Sequence, residues 1–336
     1  MCIGQFHSEL EGLGEGVQKL RSIQVLRAVA ACTVAAMHSY QQLNAPVGLE
    51  GYGAFGVDLF FVISGFIMAS VARGRSAGDF LRDRLWRIYP IWWIAVLPWL
   101  LVLSPGEGSL VSSLSLWPIF ADGYHVPVLT VGWTLSFELL FYLGVTVALG
   151  IGAGLPLVVY ALCLASALMT SGAFLDFVGS PMALEFLAGA IVAKLPRRTI
   201  FGTFILVGIA LLIVTPPTTG SARAALVAES AIWRAVEWGV PAALVVWGAV
   251  SLAPVFDSRL FDPLVAMGDA SYSIYLFHSL IAYGLDIPWP LRLAVAVLVG
   301  WSMHVLIERR IPAGRKALPR LIIRLRHWLG AAPKTI

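Results

Sequence analysis

The feature that most constrains this chain is the near absence of any stretch suited to water. One apolar run follows another from residue 24 to residue 308, separated by short polar or charged segments. Of the 336 residues 59% are apolar and only 12% charged, and the mean hydropathy is +0.84, far from the balance of a soluble globular domain. In lipid a backbone must satisfy its own hydrogen bonds, and a helix needs about 20 apolar residues to cross. Ten segments qualify, at 24–42, 53–72, 89–103, 131–150, 154–170, 181–195, 200–215, 231–251, 264–285 and 290–308. Two of them, 89–103 and 181–195, are short for a full span and read as tilted, broken or merged with a neighbour. The expected fold is an all-α polytopic membrane protein of about ten transmembrane helices.

Charge assigns its orientation. If the first helix runs outward, the cytoplasmic segments hold Lys19, Arg21, Arg27, the cluster Arg73, Arg75, Arg82, Arg84 and Arg87, then Lys194, Arg197, Arg198, Arg259 and a basic tail from Arg309. Only Arg223, Arg234 and Arg292, three of the 23 lysines and arginines, fall near the outer side. That asymmetry follows the positive-inside rule and expects both termini in the cytoplasm. A basic rim on anionic headgroups accounts for the net charge of +4, so no nucleic acid is implied.

Cys2, Cys32 and Cys163 form neither a disulfide framework nor a metal site, and no metal is expected. The first 20 residues carry Glu9, Glu11 and Glu15 and lack the basic start and apolar centre of a cleavable signal. In the tail, Leu318, Leu321, Ile322, Leu325, Trp328 and Leu329 recur at helical spacing, with Arg320, Arg324 and His327 on another side. This reads as an interfacial helix on the inner leaflet.

Ionisable groups inside apolar helices are costly and mark pathways or reaction sites. Arg27 and His38 are eleven residues apart, which returns to within about 20° of one helix face and rises about 16 Å. Arg27 thus belongs to the inner part and His38 to the middle or outer part. Snorkelling explains Arg27 as well as a ligand contact does; His38 is a candidate general base. Asp58 enters with the second helix at a depth comparable with His38, and its simplest use is to hold that imidazole, with helix capping as the plain alternative. Ser64 lies about 120° around the helix from Asp58, so Ser64-Gly65 reads as a close-packing pair.

The loop "RGRSAGDFLRDRLWRIYP" precedes the third helix with five arginines. Lipid anchoring explains them, and Arg84 and Arg87 could equally grip phosphates through charge-assisted forks. In "VGWTLSFELLFYL", Thr134, Glu138 and Tyr142 form one polar stripe that must face protein or a cavity. Ser271, Tyr275 and His278 repeat the pattern in "GDASYSIYLFHSL", where His278 reads first as a structural partner and second as a catalytic group. Glu308, beside Arg309 and Arg310, reads as an inner-surface charge, while Glu185 and Glu237 have no assigned role.

Taken in order, "SIQVLRAVAACTVAAMHSY", "FGVDLFFVISGF", "RLWRIYP", "WTLSFELLFY", "SYSIYLFH" and the closing "IER" resemble the membrane-bound acyltransferase type three family, in its exopolysaccharide O-acyltransferase branch. The resemblance spans nearly the whole membrane region. It implies an enzyme of the bacterial inner membrane that moves an acyl group, usually acetyl, from cytoplasmic acyl-CoA to a hydroxyl of a glycan acceptor. It implies His38 as the catalytic residue, Asp58 and Ser64 as the second-helix pair, Arg84 and Arg87 as donor contacts, and Trp133, Ser136 and Glu138 as a further motif. Many relatives carry two consecutive acids in that last motif, whereas here Leu139 follows Glu138. With no appended domain after the tenth helix, acceptor recognition falls to the helices and short outer loops.

The expected organisation is a cytoplasmic segment at 1–22, a transmembrane acyltransferase domain at 23–310 and a basic cytoplasmic tail at 311–336. In the expected scheme the CoA nucleotide sits near Arg84, Arg87 and Arg27. Its pantetheine arm reaches into the bundle, and His38, oriented by Asp58 or Glu138, deprotonates the acceptor. Tyr142, Tyr275 and His278 support the site, and an acyl-enzyme on His38 or Ser64 is the two-step variant. A proton-coupled transporter using Asp58, His38 and Glu138 is the alternative class. An intramembrane serine protease is weaker, because Val62-Ile63-Ser64-Gly65 lacks the usual Gly-x-Ser-Gly pattern.

Overall fold

The structure is a computed structural model that describes residues 20–41, 50–120, 123–154, 172–214 and 228–311. The helix expected at 154–170, most of the N-terminal segment and almost all of the basic tail lie outside the described residues. Within them the regular structure is helical, apart from a two-residue antiparallel ladder between β1 (Ile119–Phe120) and β2 (Gly123–Tyr124).

The helices are α1 (Arg21–Gln41), α2 (Glu50–Val71), α3 (Ala77–Val102), α4 (Glu107–Ser115) and α5 (Gly132–Ile151). Then come α6 (Ala173–Val178), α7 (Ala183–Val192), α8 (Phe204–Val214), α9 (Ala228–Arg234), α10 (Val240–Ser251), α11 (Asp262–Asp269), α12 (Ser271–Gly284) and α13 (Trp289–Leu306). Among the described residues five stretches are long and apolar enough to cross a membrane: 52–71, 77–102, 132–151, 173–192 and 289–310. Their outward faces are apolar in a way water would penalise. Leu101 and Val102 on α3 are 78% and 81% exposed, and Leu206 and Val214 on α8 are 70% and 72% exposed, as lipid-facing side chains are.

Several expected boundaries shift. The third helix begins at Ala77 rather than 89, because Ser76 caps it: the Asp79 backbone N–H donates to Ser76 Oγ at 3.1 Å. The arginines read as a loop, Arg82, Arg84 and Arg87, therefore ride on the first turns of α3. The short segment at 181–195 is merged with a neighbour: its helix α7 follows α6 through a turn at 179–182, and together they make the apolar stretch 173–192. The expected helix at 231–251 passes from α9 to α10 through a π-helical turn at Ala235–Gly239. The one at 264–285 is interrupted at Ala270, between α11 and α12. Helix α4 was not expected. It folds back on α3, whose Trp92 and Trp93 indoles donate to the Ser113 and Leu114 carbonyls at 2.7 and 2.9 Å.

At the centre α1 packs against α2, α11, α12 and α13, while α2 also packs against α7. The α2–α7 crossing is as close as backbones allow. A Cβ on Gly65 would sit 1.8 Å from the Phe186 carbonyl oxygen, and one on Gly189 would sit 1.9 Å from that of Val62. Such contact is how small residues hold helices together where lipid supplies no hydrophobic drive. This bears out close packing at Gly65. The crossing stacks Phe61 on Phe186 and Phe186 on Phe141, each at 4.4 Å between ring centroids, tying α2, α7 and α5 into one core.

Candidate active site

A cavity of about 1020 Å³ enters the bundle from its basic end. Arg27 of α1, Arg84 and Arg87 of α3, Arg73 after α2, and Lys194 and Arg197 after α7 contribute to its wall. Among the described lining residues Glu138 is the one carboxylate. The cations are also close enough to act on each other, Arg87 on both Arg27 and Arg84. Arg84 buries its Nε with no hydrogen-bond partner. A wall of this composition calls for an anion.

Glu138 projects from α5 into the cavity, where its Oε1 accepts from Ser64 Oγ at 3.1 Å and from the Tyr142 hydroxyl at 2.5 Å. Ser64 is thus a site-facing hydroxyl and not the packing residue expected of it; the packing falls to Gly65 alone. Glu308, expected as a surface charge, is half-buried, and its Oε2 accepts from Ser273 Oγ at 2.7 Å and from His304 Nδ1 at 2.8 Å. It lies within electrostatic reach of Arg27.

His38 is not on the cavity wall. Its Nδ1 lies 3.0 Å from the Val34 carbonyl oxygen and 3.2 Å from Nε2 of His278, which α12 delivers fully buried. A carbonyl can only accept, so His38 carries its proton on Nδ1, and the His278 Nε2 lone pair faces that same proton. The Nε2 of His38 is then left as an unprotonated lone pair, the state a general base requires. The ring also meets Tyr283 edge-on, with centroids 6.1 Å apart.

Asp58 does not hold that imidazole, and the expected pairing is corrected. Helix register is the first reason. A Cβ on Gly53 would meet Met37, the neighbour of His38, and Asp58 lies five residues further along α2, about 7.5 Å deeper. Charge is the second. Asp58, wholly buried, accepts a bidentate pair from Arg234, Nε to Oδ1 and Nη2 to Oδ2, each at 2.8 Å. Arg234 is 3% exposed and lies over the Trp238 ring at 4.6 Å and the Trp133 ring at 5.9 Å. Glu185 of α7 is also buried and interacts electrostatically with both partners, in room left by Gly239 of the π turn, where a Cβ would lie 2.8 Å from its Cγ.

The remaining expected residues divide. Tyr275 lines the cavity, its hydroxyl 2.8 Å from Thr134 Oγ1 and donating to the Val131 carbonyl at 3.1 Å. Trp133 packs on Arg234 and Phe61, and Ser136 Oγ turns back to the Gly132 carbonyl of its own helix at 3.4 Å, so neither joins Glu138. Arg73, Lys194, Arg197, Glu185 and Arg234 were missed. For Arg234 a signal existed: an arginine in "AIWRAVEWG", flanked by tryptophans, is as costly in lipid as Asp58 and needs a counter-ion.

A family model described as an acyltransferase domain matches residues 20–306. Among curated proteins the chain is 32% identical over 302 residues to the exopolysaccharide production protein ExoZ of Rhizobium meliloti (strain 1021), covering 76% of this chain and 89% of that protein. It is 27% identical to nodulation protein 10 of Rhizobium leguminosarum bv. viciae, over 89% of this chain and 90% of that one. It is 30% identical to acyltransferase MdmB of Streptomyces mycarofaciens, over 38% of each. No solved structure matches the chain.

Proposed function

Because the chain belongs to the acyltransferase domain family, we propose that this membrane protein moves an acyl group, acetyl as first choice, from cytoplasmic acyl-CoA to a hydroxyl of a cell-surface or lipid-linked glycan. The observation that carries the reading is the cavity. Among the described residues six cationic side chains line it with a single carboxylate, and among its lining residues is Tyr275, whose ring lies 5.8 Å from that of His278, the hydrogen-bond partner of His38. A phosphate-rich donor with a long, uncharged arm fits that distribution: charge at the mouth, reach toward the imidazole. The basic end then faces the cytoplasm of a multi-pass inner-membrane enzyme, in line with the positive-inside rule.

In this reading Arg84, Arg87 and Arg27 neutralise the donor phosphates, joined across the mouth by Arg73, Lys194 and Arg197. The Ser64–Glu138–Tyr142 group lines the path of the arm. His38 Nε2 takes the acceptor hydroxyl proton as that oxygen attacks the thioester carbon; the C–S bond breaks and the thiolate leaves, to be protonated in turn. His278 and the Val34 carbonyl hold the imidazole tautomer, the task expected of Asp58 or Glu138. The Asp58–Arg234 pair instead fixes the helices that carry the site.

Mass spectrometry of cell-surface glycans with and without the active protein, together with donor-dependent release of free CoA thiol, tests reaction and acceptor. His38→Ala is expected to abolish both signals while the protein remains folded in the membrane; wild-type turnover by that variant removes His38 from the chemistry. Sustained substrate flux without any acyl donor would favour a transporter instead.

A further inference from the structure

The donor cavity and the histidine pair are neighbours with different walls among the described residues. Val57, Phe60, Thr134, Ser271, Tyr272 and Tyr275 line the cavity, and neither His38 nor His278 does. His38 is partly exposed, and the Tyr283 ring that meets it edge-on is 44% exposed. Tyr275 stands between the cavity and the histidine pair. It lines the cavity, and its ring centroid is 5.8 Å from that of His278.

The same side chain is fastened. The Tyr275 and Thr134 hydroxyls lie 2.8 Å apart and 3.1 and 3.0 Å from the Val131 carbonyl oxygen, so their two protons supply two hydrogen bonds among the three oxygens. Phe60 packs edge-on to the tyrosine ring with centroids 5.7 Å apart. The tyrosine comes from α12, one turn before His278, so any swing of its ring alters what the histidine pair meets.

We propose that Tyr275 is a one-residue septum that keeps the donor thioester from His38 until an acceptor is in place, and so decides that the acyl group goes to the glycan rather than to water. The inference rests on the donor and base assigned above. A base reachable by water would otherwise deprotonate water, whose oxygen would attack the thioester carbon; the C–S bond would break to give a free carboxylic acid and CoA thiol. Closing the path with a hydrogen-bonded phenol excludes that side reaction, as water exclusion does in other transfer sites.

The test uses the full-length protein in lipid nanodiscs with acetyl-CoA alone, reading thiol release, and cells carrying each variant, reading acetate on surface glycans. Wild type is expected to release thiol slowly without acceptor. Tyr275→Ala is expected to release it at least tenfold faster while glycan acetylation falls. Tyr275→Phe, which keeps the ring and loses the fastening, falls between them. The double variant His38→Ala/Tyr275→Ala is expected to lose the leak, because the leak needs the base. Tyr275→Leu serves if the alanine variant fails to fold, judged by monodispersity and melting temperature. A set of folded Tyr275 variants with wild-type thiol release overturns the septum, as does a leak that survives loss of His38. If wild type neither releases thiol nor acetylates glycan from acetyl-CoA, the donor assignment fails instead.

Discussion

At the scale of single residues, the deepest charge in the bundle is a matter of architecture. Asp58 and Arg234 are separated by 176 residues in sequence and meet in a bidentate pair that water does not reach. Breaking a buried pair from one side leaves an uncompensated charge, at a cost of about 3–5 kcal/mol, whereas removing both partners costs far less. Arg234→Met is therefore expected to lower the melting temperature in detergent steeply, and Asp58→Asn/Arg234→Met to recover most of the loss. Equal melting of the single and double variants would show that the pair carries no such coupling. The sequence identified Asp58 as a carboxylate that must face protein. It could not name the partner, since an aspartate near a histidine helix and one near an arginine helix carry the same local pattern.

At the scale of helices, close approach decides the packing, and glycine marks where it happens. Gly65 and Gly189 face the opposing backbone of α7 and α2, where a Cβ would fall within 2 Å of a carbonyl oxygen. Gly65→Ala or Gly189→Ala must push the helices apart and is expected to destabilise by about 1–3 kcal/mol or more. Gly144→Ala on α5, with no atom within 4 Å of the new Cβ, is expected to stay within about 1 kcal/mol of wild type, on the stabilising side. Thermal unfolding of the three variants in one detergent separates these outcomes. Helix existence was legible from apolar runs, whose physical cause is local. The π turn at Ala235–Gly239 was not legible, because it answers a neighbour in space: its Gly239 leaves room for Glu185.

At the scale of the whole molecule, the cavity gathers cations from α1, α3 and the segments after α2 and α7. If they hold a polyanionic donor, Arg84→Gln and Arg197→Gln are each expected to raise KM for acyl-CoA about tenfold, one charge-assisted hydrogen bond being worth roughly 1.5–3 kcal/mol, with kcat little changed. Added salt is expected to raise the wild-type KM in the same direction, since charges at an open mouth are screened. Initial-rate kinetics against donor concentration check both, and a fall in kcat at constant KM would place these residues elsewhere in the reaction.

The sequence by itself determined that the chain belongs in lipid, that its helices carry an inward polar stripe on α5 and α12, that one end is basic, and that Arg27 and His38 share one face of the first helix. These follow from composition and from the 3.6-residue period, which are properties of one segment at a time. Only the tertiary structure decided the partners: His278 rather than Asp58 beside His38, Arg234 with Asp58, Ser64 on Glu138, and Tyr275 of the cavity wall beside His278. Which stripe meets which is set by helix crossings and register, and one turn of register, about 5.4 Å, is enough to give a carboxylate to a different base.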